Sequence, residues 1–190
     1  MREGKGSIIF ANGEVFEGWF KDNKVVGMGR KIFKDGSWYT GHWKDNFKDG
    51  VGTLQKTNGE KYEGHWQAGL KHGYGKMQWS DGTVYEGEWK LDIKHGVGVK
   101  SWSNGDVYEG NFAHNMMEGK GSYFYADGSK YTGEFFEDLF HGYGAFHHVK
   151  GIRFEGTWHY GSRHGKGILS FSFGGHWQGQ WADDYLYGPV

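Results

Sequence analysis

A fixed spacing of 23 residues runs through this 190-residue sequence and constrains its fold more strongly than any local motif. At that spacing, two aromatic residues recur on either side of a glycine, in the order aromatic-x-Gly-x-aromatic, and no insertion breaks the register. The copies open at Phe16, Tyr39, Tyr62, Tyr85, Tyr108, Tyr131, Phe154 and Trp177, and they close at Phe20, Trp43, Trp66, Trp89, Phe112, Phe135, Trp158 and Trp181. A regular period of this length predicts an array of stacked repeats.

Glycine marks further positions of the same period. The chain has 36 glycines, and 33 of them fall in four columns. One column is the centre of the aromatic motif, two form a Gly-x-Gly pair such as Gly73 and Gly75, and the fourth belongs to a turn such as Asp81-Gly82. Glycine-rich chains are often disordered, but disordered chains contain few aromatic residues, whereas 19% of this chain is aromatic. We therefore expect each column to hold a set backbone position.

Each repeat is predicted to be a β-hairpin, as the repeat that opens at Tyr62 illustrates. Large and polar side chains alternate from Tyr62 to Trp66, which is the pattern of a strand with one buried face. A residue that tolerates left-handed backbone angles follows seven positions after each opening aromatic, here Gly69, and a second strand should then run to about Trp79. For the apolar side chains of consecutive strands to share one face, the loop after Trp66 must have an even number of residues. The loop that ends at Gly82 must have an odd number, here three.

The even loop also predicts how the two strands of a repeat pair. It sets Tyr62 opposite Gly75, and Gly64 opposite Gly73. A bare glycine opposite an aromatic ring leaves room for the ring to lie over the backbone, which would account for the regularity of the glycine columns. The predicted fold is all-β, a meander of about sixteen short strands in about eight repeats, and the domain is one continuous array over residues 1–190.

Charge and cysteine content exclude several classes of function. The net charge is −1, with 22 basic and 23 acidic side chains interspersed, so no basic surface for nucleic acid or an anionic membrane is expected. The chain has no cysteine, hence no disulfide framework or thiolate metal site. Met1 to Gly13 lacks the apolar segment of a signal peptide, and no apolar run reaches the length of a membrane span. We expect a soluble intracellular protein.

Three repeated patterns imitate chemical sites. The Gly-x-Gly pair followed by lysine at Lys76 is similar to a phosphate-binding loop, but it follows no Rossmann or P-loop pattern. Histidines His72, His95, His141 and His164 share one column, where equivalent residues should be roughly 9–10 Å apart, too far for one metal ion. A column of glutamates is too widely spaced for acid–base catalysis. We therefore expect no catalytic, cofactor-binding or metal-binding residues.

A single sheet has no second layer to cover its apolar face, so part of that face should remain exposed or be covered by a partner. The alternative is that the aromatic columns only fold the sheet, which we expect for the Tyr62 and Trp66 types. The candidates for an exposed aromatic strip that binds a partner are Trp79, Trp102 and Tyr125. Weaker candidates are the apolar residues Met116, Met117, Leu139 and Phe140. The sheet's terminal strand edges offer a further route to a homodimer or to docking.

The segment from Tyr62 to Gly75, Tyr-Glu-Gly-His-Trp-Gln-Ala-Gly-Leu-Lys-His-Gly-Tyr-Gly, resembles the MORN repeat. The segments from Tyr85 to Gly98 and from Phe154 to Gly167 resemble it too, whereas the copies that open at Phe16 and Trp177 are weaker. The resemblance implies a single-layer antiparallel β-hairpin solenoid, shaped as a twisted ribbon, with no catalytic activity. MORN arrays occur in junctophilins, plant phosphatidylinositol-phosphate kinases, a lysine methyltransferase, cytoskeletal proteins of protist parasites and radial-spoke proteins of cilia. They generally act as scaffolds, often as dimers.

From these observations we predict a non-enzymatic scaffold that binds other proteins in a cytoskeletal or ciliary (axonemal) assembly in the cytoplasm. The ciliary part of this prediction rests on the resemblance alone. One alternative is a module that binds phosphoinositides and tethers membranes, which the balanced charge disfavours. Another is the accessory array of a larger enzyme whose catalytic domain lies elsewhere.

Overall fold

The computed structural model describes residues 1–188, and all of the regular structure in that range is β-strand. Seventeen strands are present, one more than expected, because a strand in the position of a repeat's second strand lies ahead of the copy that opens at Phe16. They are β1 (Gly4–Ile9), β2 (Val15–Lys21), β3 (Lys24–Ile32), β4 (Trp38–Lys44), β5 (Phe47–Gln55), β6 (Lys61–Gln67), β7 (Leu70–Gln78), β8 (Val84–Lys90), β9 (Ile93–Ser101), β10 (Val107–Ala113), β11 (Met116–Phe124), β12 (Lys130–Phe136), β13 (Leu139–His147), β14 (Arg153–His159), β15 (Ser162–Ser170), β16 (His176–Ala182) and β17 (Tyr185–Gly188). The all-β prediction is confirmed.

The strands belong to two compact units, Met1–Lys94 and His95–Val190. In the N-terminal unit, β1 to β8 pair antiparallel in chain order. In the C-terminal unit, the part of β9 that begins at His95 and the strands from β10 to β17 pair in the same way. Each unit is thus an open antiparallel sheet of consecutive hairpins, and the repeat register continues through both. That the whole chain is one array stays a prediction.

The two turns of each repeat have the predicted lengths. Within the hairpin that opens at Tyr62, Ala68 and Gly69 form a two-residue turn with φ of 47° and 90°, the left-handed pair of a type I′ turn. Between repeats, the Trp79 amide donates to the Thr83 carbonyl at 2.8 Å and encloses a three-residue loop. That loop ends in left-handed Gly82, with a φ of 88°. The predicted turns are confirmed, because Gly69 and Gly82 have the left-handed conformation that their residue type indicated.

The predicted pairing of the two strands was wrong. Tyr62 lies opposite Met77, not Gly75, and Gly64 lies opposite Gly75, not Gly73. The pairing next to the turn is as predicted, so an irregularity must separate the turn from the glycine pair. The alternation of side chains could not reveal it, because the shift is by two residues and preserves which face each side chain occupies.

A β-bulge in the second strand of the hairpin causes this shift. In the same hairpin Trp66 pairs with Lys71, and beyond that pair the single residue His65 faces the three residues 72–74. Gly73 lies within the bulge, and its φ of 62° is in the left-handed region that favours glycine. The first glycine of the Gly-x-Gly pair is therefore required by the bulge, whereas the second is required by an aromatic ring.

That ring belongs to the opening aromatic residue. The Tyr62 ring lies over Gly75, where a methyl group on the glycine would overlap it, so the predicted ring–glycine packing occurs despite the changed register. The Tyr62 hydroxyl donates to the His65 carbonyl at 3.0 Å. The Trp66 indole nitrogen donates to the Gly52 carbonyl of the preceding repeat at 3.2 Å. Both polar atoms of the buried rings are thereby satisfied within the sheet.

Opening rings also contact two closing rings edge to face, one in the same repeat and one in the next, as at Phe16, Tyr39, Tyr62, Tyr108, Tyr131 and Phe154. Tyr39 lies 5.1 Å from Trp43 and 5.4 Å from Trp66, measured between ring centroids. The twelve aromatic residues predicted to be structural are all buried, and Tyr39, Tyr85, Tyr108 and Tyr131 have no exposed surface. Neighbouring repeats cover one another's rings, so the Tyr62 and Trp66 columns fold the sheet, as expected.

Turn residues make a further connection between successive repeats. The seventh residue after each opening aromatic was predicted only to permit a left-handed backbone, but its side chain has a second role. The Asp138 carboxylate accepts a hydrogen bond from the Met117 amide at 2.7 Å, while its own amide donates to the Met117 carbonyl at 3.2 Å. The same side-chain bond is made by Asn23, Asn46, Asp92 and Asp184.

The ring–glycine contact predicts a position-dependent effect of one methyl group. Gly75→Ala should lower the free energy of unfolding by about 1–3 kcal/mol, because the added Cβ overlaps the Tyr62 ring and forces an overpacked site to shift. Gly6→Ala is the matched control, since Gly6 occupies the same column and its added Cβ would meet the Phe20 ring at an ordinary 3.9 Å. Urea unfolding curves of both variants test this. Equal midpoints would contradict it.

The hydrogen bond from the Met117 amide to the Asp138 side chain, which we call the turn clip, predicts a local effect on hydrogen exchange. Asp138→Gly keeps the left-handed turn and the backbone bond to Met117 but removes the carboxylate that the Met117 amide donates to. We expect a loss of about 1 kcal/mol of local stability and an approximately fivefold faster exchange of the Met117 amide. The Lys71 amide, clipped by Asp92 at 2.8 Å, is the internal control. Unchanged exchange at Met117 would show that the carboxylate bond contributes nothing.

Candidate protein-interaction grooves

One column of the repeat decides the character of the apolar face. It is the second residue of the second strand in each repeat. Its side chain lies over the aromatic rings at the junction of two repeats. In the N-terminal unit the column holds Lys48 and Lys71, and in the C-terminal unit it holds Met117 and Phe140. Two concave surfaces form on this column, one in each unit, with opposite chemistry.

The surface in the C-terminal unit, which we call the aromatic groove, encloses about 490 Å³. Its apolar lining consists of Trp102, Met117, Tyr123, Tyr125, Leu139 and Phe140. Five of these six were candidates for partner binding from the sequence. They come together because Trp102 and Tyr125 precede the three-residue loops of two successive repeats, while Met117, Leu139 and Phe140 follow the two-residue turns.

Tyr123 connects the two aromatic candidates and was not foreseen as part of a site. Its ring centroid lies 5.3 Å from Trp102 and 4.7 Å from Tyr125, so the three rings form a continuous row. The Tyr123 hydroxyl donates to Asp106 at 2.8 Å, and burial raises the pKa of that hydroxyl. The Ala126 amide donates to Asp106 as well, at 2.8 Å, and this bond holds the pKa of the carboxyl below its usual range. The row is thereby fixed in position before any partner binds.

The floor and rim of the aromatic groove differ in exposure. Phe140 stacks parallel on the Tyr131 ring at 3.7 Å and is half-buried. Met117 is buried, with 7% of its surface exposed, so it forms the floor and not the exposed contact that the sequence suggested. Leu139 is 43% exposed and forms the rim.

The remaining candidates lie outside this groove. Trp79 belongs to the N-terminal unit, where the Lys94 ammonium lies 5.9 Å from its ring centroid, and Met116 is half-buried beside the turn that precedes β11. The structure makes Trp79, Trp102 and Tyr125 half-buried, so they do not form the fully exposed strip that we expected. Partner binding at any of these residues stays a prediction.

The surface in the N-terminal unit, which we call the lysine groove, encloses about 360 Å³ and was missed by the sequence analysis. Its floor is made by Leu54, Met77 and Trp66, and its cations are Lys48, Lys56, Lys61 and Lys71. The signal that could have found it is a lysine two positions beyond the turn residue in three successive repeats, at Lys48, Lys71 and Lys94.

Two of the cations lie on indole rings. The Lys48 ammonium is 3.7 Å from the Trp66 ring centroid, and the Lys71 ammonium is 4.2 Å from that of Trp89. Burial lowers the pKa of Lys48 to about 8 and lowers the pKa of Lys71 as well, while nearby Asp92 acts in the opposite direction on both. These lysines are therefore held in place and partly desolvated.

The opposite face of the N-terminal unit carries exposed apolar side chains that sequence reasoning also missed. Met28, Val51 and Tyr74 occupy the middle position of successive Gly-x-Gly pairs, and each has about half of its surface exposed. The Tyr74 hydroxyl donates to Glu86 at 3.2 Å.

The histidine column is less isolated than predicted, because His159 lies between two of its members. Ring centroids are 5.4 Å apart for His141 and His159, and 5.3 Å apart for His159 and His164. Even so, no group of three His, Cys, Asp or Glu side chains in residues 1–188 has an arrangement that could hold a metal ion. No helix of a length and apolarity suited to crossing a membrane occurs in the described part of the chain.

Comparison with protein families decides what kind of array this is. The model of the MORN repeat matches residues 1–15, 39–61, 62–84, 85–107, 108–130, 131–153 and 154–174. The chain belongs to the MORN-repeat family. The match leaves out residues 16–38, the weak copy that opens at Phe16, yet this copy forms the same bulged hairpin as the other MORN repeats. No protein with a curated description matches this MORN array at a significant level.

Some solved structures show a weaker likeness to the MORN array. The TCP domain of Drosophila melanogaster SAS-4 (dCPAP), solved with a proline-rich motif of Ana2 (dSTIL), is 11% identical, with coverage of 94% of this chain and 90% of that chain and a TM-score of 0.48. The TCP10c domain of D. melanogaster Sas-4 is 11% identical, with coverage of 94% and 99% and a TM-score of 0.46. The TCP10 domain of Danio rerio CPAP, solved with a STIL peptide, is 12% identical, with coverage of 95% and 97% and a TM-score of 0.40. TM-scores below 0.5 are too low to support a conclusion about this chain.

The position of Lys48 on the floor of a groove predicts an unusual titration. In NMR spectra of the protein labelled with ¹³C at the lysine ε carbons, Lys48 should reach its midpoint near pH 8, because burial disfavours the ammonium. Lys24, whose hydrogen bond to Asp45 raises its pKa, is the control and should titrate last. Since the folded pKa lies below the ordinary 10.5, the unfolded state binds more protons between these values, and this group makes stability rise with pH there.

A midpoint for Lys48 at or above the ordinary lysine value would contradict this prediction. It would mean that the Trp66 ring face stabilises the ammonium more than burial destabilises it.

Proposed function

We propose that this MORN array is a non-enzymatic scaffold that binds other proteins, and that the aromatic groove of the C-terminal unit is a principal binding surface. The observation that carries the proposal is the fixed row of Trp102, Tyr123 and Tyr125, which borders an apolar floor. Tryptophan and tyrosine are the residues most enriched among those that dominate binding energy in protein interfaces.

The groove suits a protein segment better than a small substrate. It combines a large apolar surface with only two charged groups, Lys100 and Asp138, of which Asp138 already accepts the Met117 amide. Enzyme sites need several convergent polar groups to act on a substrate, whereas a side chain of a partner needs an apolar pocket with a fixed rim. The Asp106 bond to Tyr123 lowers the ordering cost of binding, since the rim is held before the partner arrives.

We further propose that the assembly is cytoskeletal or ciliary and lies in the cytoplasm. The support for this part is the resemblance to MORN scaffolds of protist cytoskeletons and ciliary radial spokes. The balanced charge of −1 supports a protein partner over an anionic membrane surface.

The proposed function predicts that two ring deletions abolish specific capture. Trp102→Ala combined with Tyr125→Ala should remove one subset of the proteins that the purified chain captures from lysate of the source cells. The physical reason is that two aromatic anchors of this kind contribute at least about 2 kcal/mol each to an interface. Quantitative mass spectrometry of the captured proteins gives the readout, and circular dichroism with thermal melting checks that the variant is folded.

Tyr143→Ala is the control, because Tyr143 is an exposed aromatic residue on the opposite face of the same unit. A subset lost with the double variant and kept with the control supports the proposal. The same proteins captured by all three chains would contradict it. A fluorescent fusion that stays diffuse in ciliated source cells would contradict the cytoskeletal and ciliary part alone.

A further inference from the structure

The lysine groove holds two ammonium groups that lack the partners their neighbours have. Lys24 pairs with Asp45 at 2.9 Å and Lys31 pairs with Glu14 at 2.8 Å, both elsewhere in the N-terminal unit. Lys48 and Lys71 have no ion-pair partner within residues 1–188. Within the same residues, the two ammonium groups contact aromatic ring faces and donate no hydrogen bond to a protein acceptor, so their N–H donors are available to a ligand.

The carboxylates that line the same groove are already engaged. Glu60 accepts the Lys56 ammonium at 2.6 Å, and Asp92 accepts the Lys71 backbone amide at 2.8 Å as part of the turn clip. Four lysines line the groove against these two acidic residues, and Lys61 is itself paired with Glu63 at 2.9 Å. The remaining excess of positive charge therefore lies on Lys48 and Lys71, and it favours an anionic ligand.

The two lysines also set a spacing for that ligand. They occupy the same position in successive repeats, and two strand spacings separate equivalent residues by roughly 9–10 Å. A polyproline II segment advances about 9.3 Å in three residues, which would place two side chains of one face at that distance. Between the lysines the floor is apolar, formed by Leu54, Trp66 and Met77, and it suits the aliphatic stems of such side chains.

We propose that the lysine groove binds an extended acidic segment of a partner protein, with two carboxylates three residues apart on Lys48 and Lys71. Each carboxylate completes a charge-assisted hydrogen bond that the protein leaves open, and the Trp66 and Trp89 rings keep both ammonium groups in place for it. This site lies in the other unit from the aromatic groove, and it is independent of the function proposed for that groove.

The geometry favours a peptide over a phosphorylated lipid. Polybasic segments that bind anionic membranes project their lysines towards the surface, whereas Lys48 and Lys71 lie against indole rings inside a concave surface. Two single charges separated by roughly 9–10 Å match two carboxylates on one face of an extended peptide.

Synthetic peptides test the inference directly. The probe is a fluorescein-labelled peptide with four Pro-Pro-Glu triplets, which adopts polyproline II and places a glutamate at every third position. Its comparison is the same peptide with glutamine in place of glutamate. Fluorescence anisotropy with the full chain should show saturable binding of the glutamate peptide, and the glutamine peptide should bind at least about tenfold more weakly because the charge-assisted bonds are lost.

Variants of the chain locate the site. Lys48→Met combined with Lys71→Met keeps the apolar stems and should weaken binding of the glutamate peptide at least about tenfold. Lys44→Met combined with Lys76→Met removes the same charge from exposed positions on the opposite face of the N-terminal unit and should change affinity less than about twofold. Both variants should melt cooperatively in circular dichroism, and the natural Met117 shows that methionine is accommodated in this column.

Three results would overturn the proposal. These are equal affinity for the glutamate and glutamine peptides, no measurable binding of either peptide, and a folded Lys48/Lys71 double variant that binds as tightly as the native chain. Vesicles of phosphatidylcholine with 5% phosphatidylinositol bisphosphate provide the lipid arm. Sedimentation with these vesicles that depends on Lys48 and Lys71, without peptide binding, would assign the site to a lipid headgroup and reject the acidic peptide.

Discussion

The contact between an opening aromatic ring and the second glycine of the Gly-x-Gly pair is the constraint on which the rest of the structure depends. A ring such as that of Tyr62 can lie flat over Gly75 only because that glycine has no Cβ. The ring is then buried against its own hairpin, and its hydroxyl reaches the His65 carbonyl. From this position it meets the closing tryptophans of two repeats edge to face, so one contact within a repeat creates the contact between repeats.

This arrangement explains how an open sheet buries its apolar face without a second layer. Sheets ordinarily pack against another sheet or against helices. Here each repeat covers the rings of its neighbour, and the indole N–H of Trp66 or Trp89 is satisfied by a glycine carbonyl of the preceding repeat. Because every repeat needs its neighbours to bury its rings and to clip its turns, stability is shared along each unit, as in other repeat proteins.

Because the aromatic rings are buried within the sheet, the residue type can vary at the positions that lie above them. The column that holds Lys48 and Lys71 in one unit holds Met117 and Phe140 in the other, and the same backbone therefore presents a cationic groove and an apolar one. Neither substitution disturbs the ring–glycine contact below it. A repeat scaffold can in this way carry surfaces of different chemistry at fixed spacing, which is the property that a protein-binding array requires.

The sequence by itself determined the strands, the two kinds of turn and the buried face, because these follow from local backbone preferences and from side-chain alternation at a fixed period. Gly69 and Gly82 show this, since residue type alone specified their left-handed turns. Only the tertiary structure decided the two-residue bulge at Gly73, because such a shift leaves alternation unchanged. It also decided that Tyr123 joins Trp102 to Tyr125, and that Lys48 and Lys71 rest on rings of the next repeat. The contacts of Tyr123 with Trp102, of Lys48 with Trp66 and of Lys71 with Trp89 join residues about one repeat apart, and no local pattern encodes which side chains meet there.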